Sequence, residues 1–261
     1  MSDFEKIIYE FSKIPSVKAI ALAGSVTSGT ADEDSDFDVY IYTEEEIPLK
    51  IRQCIAEKYS KSPSLDNRYW ETGDEMIIAD SNKGLDIMYR NPEWIEGVIK
   101  SVYDEKNAWL GYTTAFLHNI ASSEVLYDRD GWFGDLKKKI SAEYPQELAQ
   151  AIINKNFILL KDKKYASFYE QIKNALKRRD FISVNHRLTA FLASYFDVLF
   201  ALNRVYHPGE KRLMAYAKKL CSKLPERFEE DFSRLFECRH DEILGILDSL
   251  VENLRVILKS S

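Results

Sequence analysis

The sequence contains no long apolar run and few cysteines. No stretch approaches the roughly 20 consecutive apolar residues that a membrane-spanning helix needs. The N-terminus, MSDFEKIIYEF, lacks the basic start and apolar run of a secretory signal. Cys54, Cys221 and Cys238 are an odd number and do not have the spacing of a metal site. Free thiols are typical of a reducing compartment, so we expect a soluble, cytoplasmic protein.

An overall excess of basic residues is also missing. The formal net charge is −6, which argues against a long groove for nucleic acid. Residues 1–130 carry 13 Lys and Arg against 25 Asp and Glu, a net charge of −12. Residues 131–261 carry 23 against 17, a net charge of +6. An acidic half suits cation binding and a basic half suits an anion such as a triphosphate, although two ordinary solvated surfaces explain the same counts.

The first half of the chain alternates between helical and strand patterns. Apolar residues at helical spacing predict a helix over 3–13, and VKAIALA, residues 17–23, reads as a buried strand. A loop of small residues leads to a second strand over 36–42. This alternation predicts an α+β domain, a mixed sheet flanked by helices, over residues 1–135. Further helices are predicted over 47–59 and 92–103, and further strands over 76–79, 84–90 and 124–127.

The second half has no comparable strand patterns. Helical periodicity dominates, with breaks at Pro145, at residues 207–209 and at Pro225. We therefore predict a separate helical bundle domain over residues 136–261. Its helices are expected over 147–160, 166–178, 181–203, 210–222, 226–236 and 240–258.

Two aspartates occupy alternate positions in the predicted strand DFDVYIY. Because successive side chains of a strand point to opposite faces, Asp36 and Asp38 share one face, while Phe37 and Val39 can face the core. Carboxylates held side by side repel each other unless a cation lies between them, and oxygen-rich pairs suit Mg²⁺. Taken alone, an Asp-x-Asp pair is more typical of a solvent-facing strand edge.

The residues upstream of the pair make a phosphate site more plausible. The strand over 17–23 ends at Gly24 and Ser25, and small residues fill the interval to Asp36. Glycine allows a sharp turn and a close approach of a phosphate to the backbone. A helix starting at Ser25 would add free N–H groups and a hydroxyl donor. A Gly-Ser pair alone usually marks a turn, but the order strand, Gly-Ser, small loop and Asp-x-Asp is far more specific.

A third carboxylate lies in the later strand pattern GLDIMYR. Asp86 is flanked there by Leu85 and Ile87, which fall on the opposite face. A carboxylate at this position can share a metal ion or accept the proton of an attacking hydroxyl, and the sequence leaves both roles open.

The segment LAGSVTSGTADEDSDFDVYIY resembles the signature of the DNA polymerase β-like nucleotidyltransferase superfamily. The resemblance covers residues 17–90, and the helical second half is similar to that of antibiotic-modifying nucleotidyltransferases and related bacterial proteins. The resemblance implies nucleotide-binding roles for Gly24, Ser25, Ser28 and Lys211, and catalytic and metal-binding roles for Asp36, Asp38 and Asp86.

This resemblance implies an activity as well as a fold. A magnesium-dependent enzyme, with two Mg²⁺ ions expected, would move a nucleoside monophosphate from a nucleoside triphosphate to a hydroxyl of a small molecule and release pyrophosphate. AMP is the expected group, and an aminoglycoside or lincosamide antibiotic is the expected acceptor. No nucleic-acid or membrane partner is expected. Neither the acceptor nor the oligomeric state follows from the sequence.

The run NRVYHPGEKRLMAYA resembles the region from which these enzymes supply a lysine to the triphosphate. Lys211 is the favoured residue there, ahead of Arg204 and Arg212. Its predicted place, the first turn of a helix, is unfavourable for a cation because of the helix dipole, and a bound triphosphate would offset that cost. An ordinary solvated lysine explains the residue equally well.

Two other functions stay open at this stage. Arg179 and His186 fit the loose Arg-x(4–6)-His pattern of HEPN-type ribonucleases, which are also helical bundles, so a nucleotide-binding regulatory or toxin–antitoxin protein acting on RNA is the alternative. A nucleotide sensor without activity is the other. Four carboxylates of the helical half could meet a cationic acceptor but are more typical of a solvated surface, namely Glu170, Asp180, Asp197 and Glu210.

Overall fold

The sheet of the first compact unit is built around β1 (Val17–Ala23), which is buried along nearly its whole length. β1 has one neighbour on each side, β2 (Phe37–Thr43) and β6 (Glu124–Asp128), and both are antiparallel to it. The computed structural model describes residues 1–24, 36–69, 71–163 and 166–260.

Three further strands extend the sheet beyond β2. They are β3 (Ser60–Asn67), β4 (Gly73–Ile78) and β5 (Gly84–Arg90). The six strands have the order β3-β4-β5-β2-β1-β6. β5 runs parallel to β2, whereas the other described neighbours are antiparallel. The predicted mixed sheet with flanking helices is therefore confirmed.

Within the ranges that the structure describes, five α-helices accompany this sheet. The first begins with a capping box in which Ser2 and Glu5 bond each other's backbone N–H groups, and it buries Ile7, Ile8 and Phe11. The predicted helix over 92–103 is an α-helix followed by one π turn, Lys100–Asp104. The helices are α1 (Asp3–Ser12), α2 (Leu49–Tyr59), α3 (Pro92–Ile99), α4 (Ala115–Ser122) and α5 (Trp132–Ala142).

Two strand predictions need correction. β3 was not predicted, because its sequence SKSPSLDN is polar and contains a proline. The strand lies at the edge of the sheet, where exposed polar residues and proline are tolerated. β4 begins at Gly73, three residues before the predicted strand over 76–79, because none of its first three residues is apolar and its buried side begins with the charged Asp74.

The chain divides into two compact units. The first comprises residues 1–100 and 119–143, and the second comprises residues 101–118 and 144–261. This division reflects contacts within each unit. It does not test where the predicted catalytic domain ends and the predicted helical domain begins. The boundary predicted after residue 135 stays a prediction.

The second unit is a bundle around a long central helix, α8, whose buried side chains include Phe191, Tyr195 and Leu199. This confirms that the C-terminal half is helical. No helix in the described ranges is long and apolar enough to cross a membrane. The bundle helices are α6 (Gln146–Leu160), α7 (Phe168–Lys177), α8 (Phe181–Leu202), α9 (Leu213–Leu220), α10 (Phe228–Glu237) and α11 (Ile243–Lys259).

A buried ion pair joins α2 to the sheet in the first unit. The Arg52 guanidinium donates to Asp74 at 2.7 Å, and the two side chains are 2% and 0% exposed. Asp74 also accepts hydrogen bonds from the Tyr89 hydroxyl at 2.7 Å and from the backbone N–H of Asp66 at 2.8 Å. Arg52 further donates to the Ile47 carbonyl at 3.1 Å. The buried charges are thus paired and hydrogen-bonded, as burial requires.

We predict that Asp74→Ala destabilises the protein by about 3–5 kcal/mol, because it leaves the buried Arg52 guanidinium without its closest counter-charge. Urea unfolding followed by circular dichroism measures this loss. Glu46→Ala is the control, since it removes an exposed ion pair of similar length, Arg68–Glu46 at 2.9 Å, and should leave the unfolding midpoint unchanged. Equal midpoints for the two variants would contradict the prediction.

Candidate functional site

Two aspartates meet at the centre of the sheet. β2 and β5 are parallel neighbours, and their register pairs Asp38 with Asp86. Residues paired in this way on adjacent strands point to the same face of a sheet, so the two carboxylates lie side by side. Both residues are partly buried. The pairing brings together two of the three predicted acids from segments far apart in the sequence.

Two glycines leave room for the carboxylates. Gly24 has φ of +73°, and a Cβ on it would lie 2.8 Å from Cγ of Asp38. A Cβ on Gly84 would lie 2.5 Å from Cγ of Asp36. Neither distance is tolerated between real atoms, so a larger residue at either glycine would displace a carboxylate. Asp36, which is exposed and directly precedes β2, therefore lies over the start of β5 on the same face as Asp38.

The opposite face of these strands belongs to the core, as the alternation predicts. Val39, Ile41, Leu85 and Ile87 are buried in one apolar cluster there. Phe37 packs against the same cluster and stacks on the ring of Phe4, with 4.6 Å between ring centroids. This packing fixes the rotation of β2 and β5 and so keeps the aspartates on the other face.

Beyond the aspartates, aromatic and charged side chains cover the same face. The Arg90 guanidinium lies 3.8 Å from the ring centroid of Tyr40 and binds Glu71 through two hydrogen bonds, at 2.8 and 3.0 Å. Tyr42 packs against Phe133 of α5, with 5.2 Å between ring centroids. These residues close the carboxyl ends of β2 and β5. The alternation of side chains along a strand predicts that Tyr40 shares a face with Asp38 and that Arg90 shares a face with Asp86. No local sequence pattern indicates Glu71.

The three aspartates provide oxygen ligands of the kind that Mg²⁺ prefers. The fit to magnesium thus rests on this donor chemistry and not on geometry, because no three His, Cys, Asp or Glu side chains among the described residues are arranged so that they could hold a metal ion. The metal itself stays a prediction. Two predicted phosphate-binding residues, Ser25 and Ser28, lie outside the described residues.

The place predicted for Lys211 is wrong. α9 begins at Leu213, and Arg212 precedes it in the left-handed conformation, with φ of +55°. Lys211 is therefore an exposed residue of the preceding loop, and the helix-dipole cost predicted for it does not arise. The helix starts three residues after the predicted residue 210 because Arg212, in the left-handed conformation, cannot be part of a right-handed helix.

The structure also describes the residues on which the ribonuclease alternative depends. Arg179 adopts the left-handed conformation between α7 and α8, with φ of +56°. His186 is exposed on the second turn of α8. Asp180 caps α8 by accepting a hydrogen bond from the Ser183 backbone N–H at 3.1 Å. This capping gives Asp180 a structural role.

Asp197 of α8 is buried, which corrects the surface position predicted for it. Its carboxylate accepts hydrogen bonds from the Thr113 hydroxyl at 2.6 Å, from the Thr113 backbone N–H at 3.1 Å and from the Asn156 amide at 3.3 Å. Asn156 in turn accepts from the Gly111 N–H at 3.1 Å and donates to the Trp109 carbonyl at 3.0 Å. Asp197 and Asn156 thus pin the irregular segment before α4.

Burial controls the charge of two groups in this region. It raises the pKa of Asp197 to about 7, although the bonds from Thr113 oppose the shift. It lowers the pKa of His207 to about 3, so this histidine is neutral at physiological pH. His207 packs edge-on against Tyr112 and Phe200, and its backbone N–H donates to the Thr114 hydroxyl at 2.8 Å. The structural role predicted for His207 agrees with these contacts.

Comparison with known proteins assigns a class to the first unit. Residues 5–87 match the family model described as polymerase beta, nucleotidyltransferase. This segment includes the Gly24 turn and all three aspartates. It is therefore a nucleotidyltransferase-type domain of the polymerase β-like superfamily. The assignment does not extend to antibiotic-modifying enzymes, and that part of the resemblance stays a prediction.

Residues 109–213 match a second model, described only as a domain of unknown function, DUF4037. No curated protein matches the chain significantly. Among solved structures, a nucleotidyltransferase-like protein from Exiguobacterium sibiricum 255-15 aligns with 99% of this chain and 74% of its own, at 11% identity and a TM-score of 0.46. A toxin–antitoxin structure with AMP-PNP aligns with 58% of this chain and 96% of its own, at 17% identity and a TM-score of 0.31. With scores this low, neither structure identifies a function or a site in this chain.

We predict that Asp197 makes the stability of the protein depend on pH. Because the pKa of its carboxyl is higher in the folded than in the unfolded chain, its contribution to stability is fully present below its ordinary pKa near 4 and is lost as the pH rises through about 7. Asp197→Asn should remove this component. Between pH 5 and pH 8, the wild type should lose about 2–3 kcal/mol more than the variant in urea unfolding. Parallel pH profiles of the two proteins would contradict the prediction.

Proposed function

We propose that the chain transfers a nucleoside monophosphate, with AMP as the expected group, from a nucleoside triphosphate to a hydroxyl of a small acceptor and releases pyrophosphate. The observation that supports this most directly is the pairing of Asp38 with Asp86, with Asp36 on the same sheet face, inside a nucleotidyltransferase-type domain. An acidic face of this kind suits phosphoryl transfer, in which catalysis depends on positioning and on neutralising charge.

The Gly24 turn is the proposed phosphate-binding element. A residue without a side chain in the left-handed conformation lets a phosphate approach the backbone next to Asp38. Ser25 and Ser28 are proposed to donate hydrogen bonds to the same phosphates. Lys211 is proposed as the cation that offsets the charge of the triphosphate.

Asp36, Asp38 and Asp86 are proposed to hold magnesium, with two ions expected. When bound, the metal lowers the pKa of the acceptor hydroxyl and offsets negative charge on the phosphates. Asp86 is also proposed as the carboxylate that accepts the hydroxyl proton. A metal ligand and a proton acceptor both have to lie beside the reacting hydroxyl oxygen. The register of β5 on β2 is therefore compatible with either role for Asp86.

The acceptor is proposed by resemblance alone. An aminoglycoside or lincosamide carries the hydroxyl groups that the reaction needs. The acidic character of the first half of the chain favours a cationic acceptor over a nucleic acid.

We predict that Asp38→Asn lowers transfer by roughly 10³-fold or more, because a neutral amide cannot replace a charged oxygen ligand. Pyrophosphate release measures this loss, with Mg²⁺, ATP or GTP, and a panel of kanamycin A, lincomycin, glucose and tRNA as acceptors. Asp135→Asn, at an exposed position of α5, is the control and should keep the wild-type rate. Circular dichroism checks that both variants fold. Near-normal turnover in the Asp38 variant would refute the proposed function.

We predict that Gly24→Ala weakens binding of Mg-ATP by about tenfold or more, because the added Cβ displaces the Asp38 carboxylate. Gly131→Ala is a matched control. Gly131 has nearly the same φ, +74°, but an added Cβ there meets no atom within 4 Å. Both variants therefore carry the same backbone strain, and only the first disturbs an aspartate. Isothermal titration calorimetry compares their affinities, and equal affinities would argue against a phosphate site at Gly24.

A further inference from the structure

We infer that α1 and β6 form a docking groove for an extended segment of another protein, one that carries Lys or Arg beside alternating apolar side chains. α1 packs on the sheet face opposite to the aspartates. The groove therefore lies away from the proposed transfer site, and its function does not depend on that reaction.

A cavity of about 380 Å³ lies between the two elements. Phe4, Ile8 and Tyr9 line it from α1, and Leu126 and Tyr127 line it from β6. Although α1 also packs on β1, no described residue of β1 lines the cavity. The cavity therefore lies toward the outer side of β6, with apolar and aromatic side chains around an open space at the sheet edge.

β6 is an edge strand in the part of the chain that the structure describes. An edge strand presents backbone N–H and C=O groups that an extended segment can bond as an added strand. The pairing of β6 with β1 skips Leu126, and both Leu126 and Tyr127 pack toward α1. The groove thus offers backbone groups on one side and pockets for alternate side chains on the other, which is the requirement for strand addition.

Two glutamates lie at one end of the groove. Glu124 pairs with Leu22, which belongs to the apolar cluster under α1, so its side chain is on the α1 face. Glu5 lines the cavity itself. Phe4 stacks on Phe37 at the start of β2, beside the end of β1 that pairs with Glu124. Both glutamates therefore lie at the same end.

Glu124 is the charge that selects the occupant. It is exposed and forms no ion pair with any described residue. Glu5 is partly compensated, because it accepts a hydrogen bond from the Ser2 N–H at 2.7 Å and lies 3.9 Å from the Met1 amino group. A cation beside Glu124 is attracted, whereas an acidic segment is repelled.

The same charges disfavour a second copy of this chain as the occupant. β6 carries Glu124 and Asp128 and no basic residue. Pairing two copies along this edge would bring the carboxylates of both together, which is unfavourable. Charge complementarity therefore favours a basic segment of a different protein.

Fluorescence anisotropy tests this inference with the labelled peptide acetyl-Lys-Val-Thr-Val-Thr-Val-Lys-amide, which offers a cation to Glu124 in either strand direction. The matched peptide has Glu in place of both Lys residues. Wild type should bind the Lys peptide and should bind the Glu peptide about tenfold more weakly. Glu124→Lys should reverse this preference. Glu93→Lys is the control and should behave as wild type, since Glu93 is also exposed and forms no ion pair with any described residue.

Ser12→Trp tests the groove apart from the charge, because Ser12 also lines the cavity and a large ring there fills it. This variant should bind both peptides more weakly, and circular dichroism checks that each variant folds.

The inference is overturned if wild type does not bind the Lys peptide, if it binds both peptides equally, or if Glu124→Lys keeps the wild-type preference. Unchanged affinities in folded Ser12→Trp would place the peptide elsewhere and overturn it as well. A wild-type dimer in sedimentation velocity that Glu124→Lys disrupts would identify a second copy as the occupant instead. Each of these results leaves the proposed transfer reaction unaffected.

Discussion

The site depends on the register between two parallel strands, because only that register brings distant acids together. β2 and β5 pair so that Asp38 faces Asp86, and a shift by one residue would turn Asp86 into the core and bring Leu85 or Ile87 out of it. Exchanging a buried aliphatic side chain for a carboxylate is costly, so the apolar face holds the register against the mutual repulsion of the acids. Stability of the core and geometry of the site are therefore set by the same pairing.

The glycines show how closely the fold accommodates this arrangement. At both Gly24 and Gly84, an added Cβ would overlap an aspartate carboxylate. Only Gly24 also has a positive φ. The first unit thus brings backbone close to its acids at two points. At the far end of the same strands, Arg90 and Tyr40 close the face with a guanidinium stacked on a ring. The aspartates and glycines therefore occupy one end of this sheet face, and aromatic and charged side chains occupy the other.

The sequence supports prediction wherever the signal is local. Asp36 and Asp38 share a face because alternation within one strand requires it, and the apolar Phe37 between them packs on the opposite face. That Asp86 would be the partner of Asp38 could not be derived, since it depends on which strand lies beside β2. The start of β4 is not predicted for a related reason: its buried side begins with Asp74, whose burial depends on the distant partners Arg52 and Tyr89. The predicted place of Lys211 is wrong because α9 begins at Leu213, three residues after the predicted start at residue 210.

Asp197 and the three aspartates of the sheet face are held in opposite ways, and this contrast supports the proposed place of the chemistry. Asp197 is buried, receives three hydrogen bonds from Thr113 and Asn156, and has a pKa raised to about 7 by burial. Its carboxylate oxygens accept these hydrogen bonds and so hold the segment before α4, which makes them poorly placed to bind a ligand. Asp36, Asp38 and Asp86 are instead held beside glycines on a face where Asp36 is exposed and the other two are partly buried. A carboxylate that is hydrogen-bonded by its own protein stabilises a fold, whereas carboxylates crowded together at an accessible face attract cations, and the proposed transfer reaction belongs with the latter.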